Sequence, residues 1–307
     1  MNFWHHSWLW FWPLWAYCGA STYAYEADQY LNRTVHVPDS LTMMDTRVNA
    51  ALLDIAAGWQ GARSDARFAR AVYRKLGGLH WADRIERWAN ANPAVAKYPQ
   101  TRFRNIYTGM PFWATRVNFF FGVARSIRIG GVMVGTDKFG HFFSQGLKYY
   151  NRQQRGWREE RIWARGALAE RWIFGRLTTG TYANADLVAN FEGMRFYRSL
   201  FENEVVAGKV AVVSWTSDGP VISRPFTWSD HINDYWDEAL NPGWMVDSLE
   251  KRLRLKVTAA CTQARESPDA YRSEQDAALW ARYSGIGLID ARHMQFEAVC
   301  SLGTKSG

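Results

Sequence analysis

Read as a pattern of apolar and polar positions, the chain is a series of amphipathic helices interrupted by stretches of other character. Between Leu41 and Leu76, Val48, Leu52, Ile55 and Ala56 recur at three- and four-residue steps, and Ala66, Phe68, Ala71, Val72 and Leu76 resume the pattern after Gly58 and Gly61. Apolar residues at that spacing line one face of a helix. Gly77-Gly78 ends the second of these helices, and a short third one is expected from Trp81 to Trp88. A loop with Pro93, Pro99 and Pro111 follows. From Pro111 to Val134 the chain is strongly apolar, but Arg116, Arg125 and Arg128 interrupt it. Each such charge at a bilayer centre would cost ~2.5–3.5 kcal/mol, so this stretch is read as protein core. Helices are predicted from Asp137 to Tyr150 with Thr136 as cap, around Glu170, and from Ala183 to Leu200. Residues 205–227 differ: β-branched runs flank Asp218-Gly219, which is a hairpin signal. A helix capped by Ser229 or Asp230 is expected to run to Leu240, with Asn241-Pro242-Gly243 as its stop. Two more follow, from Met245 to Arg265 and from Ser273 to Ser284. The expected fold is mainly α: one helical bundle domain over residues 25–307, with a small β-hairpin insert near 205–227.

Residues 1–24 stand apart. No Lys, Arg, Asp or Glu occurs from Asn2 to Thr22, and the apolar run from Phe3 to Tyr17 is shorter than the ~20 residues of a membrane span. Its length suits a signal-peptide core, with Cys18 as a candidate lipid-attachment residue. The alternative is an interfacial anchor, because Trp4, Trp8, Trp12 and Trp15 fall on one helical stripe. Either reading places the chain in the cell envelope, on the periplasmic side, membrane-anchored or secreted. If Cys18 is cleaved off or lipidated, Cys261 and Cys300 remain as an even pair that an oxidising compartment would join; two buried free thiols are the alternative.

Composition narrows the partners. The 307 residues include 17 Trp, and the formal net charge is +8. Trp favours positions with one apolar and one wet end, as at membrane surfaces. A basic, Trp-rich chain with no nucleic-acid-binding motif points to a membrane surface or a cell-wall component, and not to nucleic acid. The arginines between Lys148 and Arg165 are the natural contact.

The candidate chemistry lies between Thr136 and Tyr197. On the helix after Thr136, the residues Asp137, His141, Ser144 or Gln145, and Lys148 share one face. Glu170 sits among Trp163, Gly166, Ala167, Ile173 and Phe174, where a lone carboxylate needs a partner or a proton. On the third helix Asp186, Asn190, Gly193 and Tyr197 fall in one line, and Gly193 suggests the close approach of another helix. His141, Glu170, Asp186 and Asp137 are therefore candidate catalytic residues. Lys138, Asn190 and Gln145 are candidate substrate-binding residues. A divalent metal held by His141, Asp137, Glu170 and Asp186 is a variant. A second cluster, His231, Asp234 and Glu238, would share a face of the helix expected there.

The order D-K-x-x-H (Asp137, Lys138, His141), then Glu170, then D-x-x-A-N-x-x-G (Asp186, Ala189, Asn190, Gly193) resembles the VanZ-like family of bacterial membrane proteins and a related group of envelope lipoproteins. The resemblance covers residues 136–197. The chain departs from that family in lacking an internal span and in carrying Ile173 and Phe174 where the family has Gln. What the resemblance implies is a three-helix polar core and a place in the envelope, not a reaction. Two functions stay open: a non-catalytic envelope protein, or an envelope hydrolase or transferase acting on a phosphate- or ester-containing lipid or wall precursor.

Overall fold

The computed structural model describes residues 27–78, 82–101, 104–111, 113, 122–170 and 180–302. The 1–24 segment with Cys18 and its Trp stripe, the Phe119–Phe121 run, and Ile173 and Phe174 lie outside the described residues. The protein is mainly α, with small antiparallel strand pairs. No helix among the described residues is long and apolar enough to cross a membrane.

Helices α1 (Leu41–Ala57) and α2 (Asp65–Leu76) form where the periodicity places them. Ser64 caps α2 by accepting from the Arg67 N–H. Helix α3 (Arg84–Ala91) starts later than the pattern suggests, at a capping box in which Glu86 reaches back to the Asp83 N–H. The segment before the central stretch is a hairpin that the sequence reading took for core. Strands β1 (Ser126–Ile129) and β2 (Val132–Gly135) pair antiparallel. Gly130 and Gly131, with φ of 56° and 86°, make the two-residue turn, which needs positive φ at both positions.

Helix α4 runs from 138 to 154 and has a π-turn at His141–Gln145. After α5 (Glu159–Ala169) and the short strand β3 (Thr181–Tyr182), helix α6 (Asn184–Ser199) is buried on nearly every side. The hairpin β4 (Val213–Thr216) and β5 (Gly219–Ile222) sits where the D-G signal placed it. Strand β6 (Trp244–Met245) pairs with β3. Helices α7 (Asp247–Ala259), α8 (Cys261–Glu266), α9 (Asp276–Tyr283) and α10 (Phe296–Cys300) complete the chain.

The helix expected from Asp230 to Leu240 does not form. Two single 3₁₀ turns stand there, Trp228–Asp230 and Asp234–Trp236. The Asn233 side chain accepts from the Tyr235 N–H, and Asp237 accepts from Ala239 and Leu240. Short polar side chains that bond nearby backbone N–H groups compete with helical hydrogen bonds, and here they prevail.

Two large apolar clusters make most of the core among the described residues. The larger surrounds Phe142, whose ring centroid lies 4.8 Å from Trp228, 5.2 Å from Phe196 and 5.8 Å from Trp236. The smaller gathers α7, α8 and α10 with Tyr30, Tyr271 and Phe296, and contains the Cys261–Cys300 disulfide. The first described residues thread between these parts. Asp28 is fully buried and accepts from the N–H groups of Tyr30 and Leu31, both at 3.1 Å, and of Ile106 at 2.8 Å. Burial pushes its carboxyl up to about 6, against these hydrogen bonds. A carboxyl raised in the fold favours folding below its unfolded value near 4, and that contribution is lost as pH climbs to about 6. Denaturation of wild type and Asp28→Asn at pH 4 and pH 7 is therefore expected to show the wild type losing roughly 2 kcal/mol relative to the variant. An unchanged difference would refute this.

Candidate functional site

Helices α4 and α6 cross with their backbones almost touching. A Cβ added at Gly146 would lie 2.6 Å from the Gly193 Cα, and one at Gly193 would overlap the Phe142 carbonyl. This crossing brings the D-K-x-x-H turn of α4 beside the D-x-x-A-N turn of α6.

Lys138 is fully buried, and its ammonium lies 2.6 Å from Asp137 Oδ2 and 2.6 Å from Asp186 Oδ1. It also donates to Glu238 Oε1. All three carboxylates are buried. The remaining Asp137 oxygen, Oδ1, has no hydrogen-bond partner among the described residues. Asp186 spans two parts of the site: its Oδ2 lies 3.3 Å from His141 Nε2. On the other side of the ring, His141 Nδ1 is 3.1 Å from Asn190 Oδ1 and 3.7 Å from Glu170 Oε1. Glu170 is buried at the end of α5, so three helices meet at this imidazole. The His141 side chain keeps 19% of its surface exposed, whereas Glu170 and Asp186 keep 4% and 5%. His141 is the part of the site that water reaches.

A further acid stands behind α4. Glu86 is buried, and its carboxyl is held well above the ordinary range, by burial first and then by the Asp137 charge. Its neighbour Asp83 accepts a hydrogen bond of 2.5 Å from the Ser144 hydroxyl. Neither acid was flagged in the sequence, where D-x-x-E spacing (Asp83, Glu86) reads only as a helix start.

The structure thus brings together Asp137, Lys138, His141, Glu170, Asp186 and Asn190. Gln145 is half-buried and makes no hydrogen bond to this cluster among the described residues. Lys148 makes no hydrogen bond or ion pair to this cluster among the described residues. The cluster of His231, Asp234 and Glu238 is split. Glu238 joins Lys138; Asp234 accepts from Ser273; His231 lies 3.2 Å from Glu192. Glu192 is itself a buried hub for Arg282 and the Tyr283 hydroxyl. Burial pushes its carboxyl up, but the His231 hydrogen bond and the charges around it outweigh this and hold it below the ordinary value.

Two sets of side chains could hold a cation: His141, Glu170 and Asp186, and Asp137, Asp186 and Glu238, each with ligand atoms within 4.8 Å of one another. The second already has the Lys138 ammonium among its oxygens. The first offers one imidazole nitrogen and two carboxylates, a donor set that suits several divalent ions. A cavity of about 330 Å³ lies on the far side of Asp237, lined by Arg33, Tyr98, Arg128 and Arg272 among others. Arg33 pairs with Asp237 at 2.8 Å, so the consecutive residues Asp237 and Glu238 tie the cavity wall and the Lys138 cluster together.

Comparison of the chain with protein-family models, with curated proteins and with solved structures finds no match.

Proposed function

We propose that the chain is a bacterial cell-envelope protein, exported and membrane-associated, whose working site is the buried polar cluster of Asp137, Lys138, His141, Glu170, Asp186 and Asn190. The observation that carries the compartment is the disulfide between Cys261 and Cys300. Disulfides persist in oxidising compartments and are rare in the cytosol. The apolar, Trp-rich residues 1–24 and the resemblance of the site motifs to VanZ-like proteins support the same place. On fractionation, the full chain is expected with the envelope, with Cys261 and Cys300 resisting alkylation until reduced. Thiols that alkylate at once in freshly lysed cells would remove this support. The bond closes a loop between residues 39 apart, so replacing both cysteines by Ser is expected to cost about 2–4 kcal/mol in chemical denaturation.

A second reading is favoured by the imidazole: an envelope hydrolase or transferase acting on a phosphate- or ester-containing lipid or wall precursor. A histidine with one accessible edge and a carboxylate beside each ring nitrogen has the parts of an acid–base group. His141 would take the proton from an attacking water or hydroxyl. The imidazolium so formed would hand that proton to the leaving oxygen, with Asp186 and Glu170 holding the charged ring from either side. Lys138 balances the carboxylates from inside and does not reach a substrate. In this reading His141→Ala and Glu170→Gln lower turnover of a phosphodiester or ester probe by about 100-fold or more, while His141→Ala melts close to wild type. A wild type that turns over neither probe, with variants that differ only in melting temperature, would leave the cluster a structural network.

A further inference from the structure

Six cations lie along the end of α4 and the start of α5: Lys148, Arg152, Arg155, Arg158, Arg161 and Arg165. Only Glu159 and Glu160 offset them, so these 18 residues carry +4 of the chain's net +8. None of the six is ion-paired with a carboxylate among the described residues. Glu159 is engaged elsewhere, accepting from Gln153 at 2.9 Å and lying 3.9 Å from Arg198. Elsewhere in the protein Arg33, Arg198, Arg224, Arg272, Arg282 and Arg292 all have carboxylate partners.

The charge is organised around one aromatic ring. The guanidinium carbons of Arg152, Arg161 and Arg165 lie 5.7, 4.5 and 5.6 Å from the centroid of Trp157. The turn that presents this ring is fixed by the backbone. Gly156, at φ 77°, donates to the Gln153 carbonyl, and the Trp157 N–H donates to the Arg152 carbonyl, the double bond pattern of a glycine-stopped helix. Like charges crowd here, and only Asp83 beside Lys148 and Tyr149 beside Arg152 work against the crowding. Arg152 is held below its ordinary value by burial and then by Arg165, and Lys148 by burial and then by Arg152. On the same helix Leu168 is 56% exposed, and Glu170 at its end enters the polar site.

Unpaired guanidinium groups are bidentate donors to phosphate, and an indole with one wet edge seats at the headgroup level of a bilayer. We propose that this α4–α5 face binds the phosphate-bearing headgroups of an anionic lipid bilayer, with Arg152, Arg161 and Arg165 as the donors and Trp157 between them. The inference rests on the envelope reading and names the surface that would hold the polar site against lipid.

The test is sedimentation of the full chain with vesicles of phosphatidylcholine alone or mixed with phosphatidylglycerol, at low salt. Any hold through residues 1–24 contributes to both vesicle types, so the ratio of affinities reads the basic face. A preference of about tenfold or more for the anionic vesicles is expected, lost in 0.5 M salt and in the triple variant Arg152→Gln, Arg161→Gln, Arg165→Gln. The pair Arg252→Gln, Arg254→Gln on α7 should keep the preference. No preference in the wild type, or a preference retained in the triple variant, would overturn the proposal. Loss of vesicle binding to millimolar inorganic phosphate would assign the site to free phosphate, and displacement by duplex DNA at equal phosphate would assign it to nucleic acid; both overturn the lipid source. Melting curves of the triple variant matching wild type show that the charges, not the fold, were removed. The fractionation and alkylation experiment judges the envelope reading separately.

Discussion

Gly193→Ala is expected to destabilise the protein by at least about 3 kcal/mol, enough to remove much of the stability of an ordinary domain. The reason is backbone against backbone. The methyl group would overlap the Phe142 carbonyl, and at the same crossing Gly146 meets the Gly193 Cα. A flexible side chain could move aside; a carbonyl inside α4 moves only with its helix. That helix carries Lys138 and His141, so the polar site would open together with the packing around Phe142. The control is Gly285→Ala, where an added Cβ meets nothing within 4 Å, and a change within about 0.5 kcal/mol is expected. Chemical denaturation of both variants is the measurement. A Gly193→Ala protein within 1 kcal/mol of wild type would show that the helices do not cross as described.

Lys138→Met is expected to cost about 3–5 kcal/mol at pH 7, the range for removing one partner from a buried ion cluster. Three buried carboxylates, on Asp137, Asp186 and Glu238, would lose the ammonium they share. Methionine nearly matches the lysine stem in size, so the loss reports charge and not a cavity. Two further results follow from that cause. Adding Glu238→Gln removes one of the abandoned charges and should recover part of the loss. The deficit should also narrow between pH 7 and pH 4, as protons take over the balance that Lys138 provided. Melts in which neither the second substitution nor acid helps would mean that Lys138 acts through packing alone.

The helical pattern carried most of the fold, since α1, α2, α6 and α7 bury the faces that their apolar spacing marks. Part of the site was legible for the same reason. One helical turn separates Asp137 from His141 and Asp186 from Asn190, and Gly193 marked the close crossing. The π-turn at His141–Gln145 was not legible. A regular α-helix would put Gln145 and Lys148 on the stripe of Asp137 and His141. A wider turn carries more residues per revolution, and Lys148 ends up on the outer face. Glu238 was misplaced because Asn233 and Asp237 capture local N–H groups and dissolve the helix that would have aligned it with His231. The β1–β2 hairpin carried its own signal in Gly130-Gly131 between β-branched residues, but the apolar run before it suggested a continuous core segment. Asp83 and Glu86 were hidden by their ordinary place at a helix start. Only the tertiary fold puts them behind Ser144 and Asp137.

The deep seating of Ala27 and the residues after it bears on how the fold assembles. Ala27 is fully buried and bridges to Ala124, and within six residues Gln29 donates to the carbonyls of Met133 and Trp236 while Arg33 pairs with Asp237. The same contacts set an order of closure along the chain. Gln29 and Arg33 find these partners only once Trp236 and Asp237 are in place. Closure would therefore come late, with the earliest residues docking last.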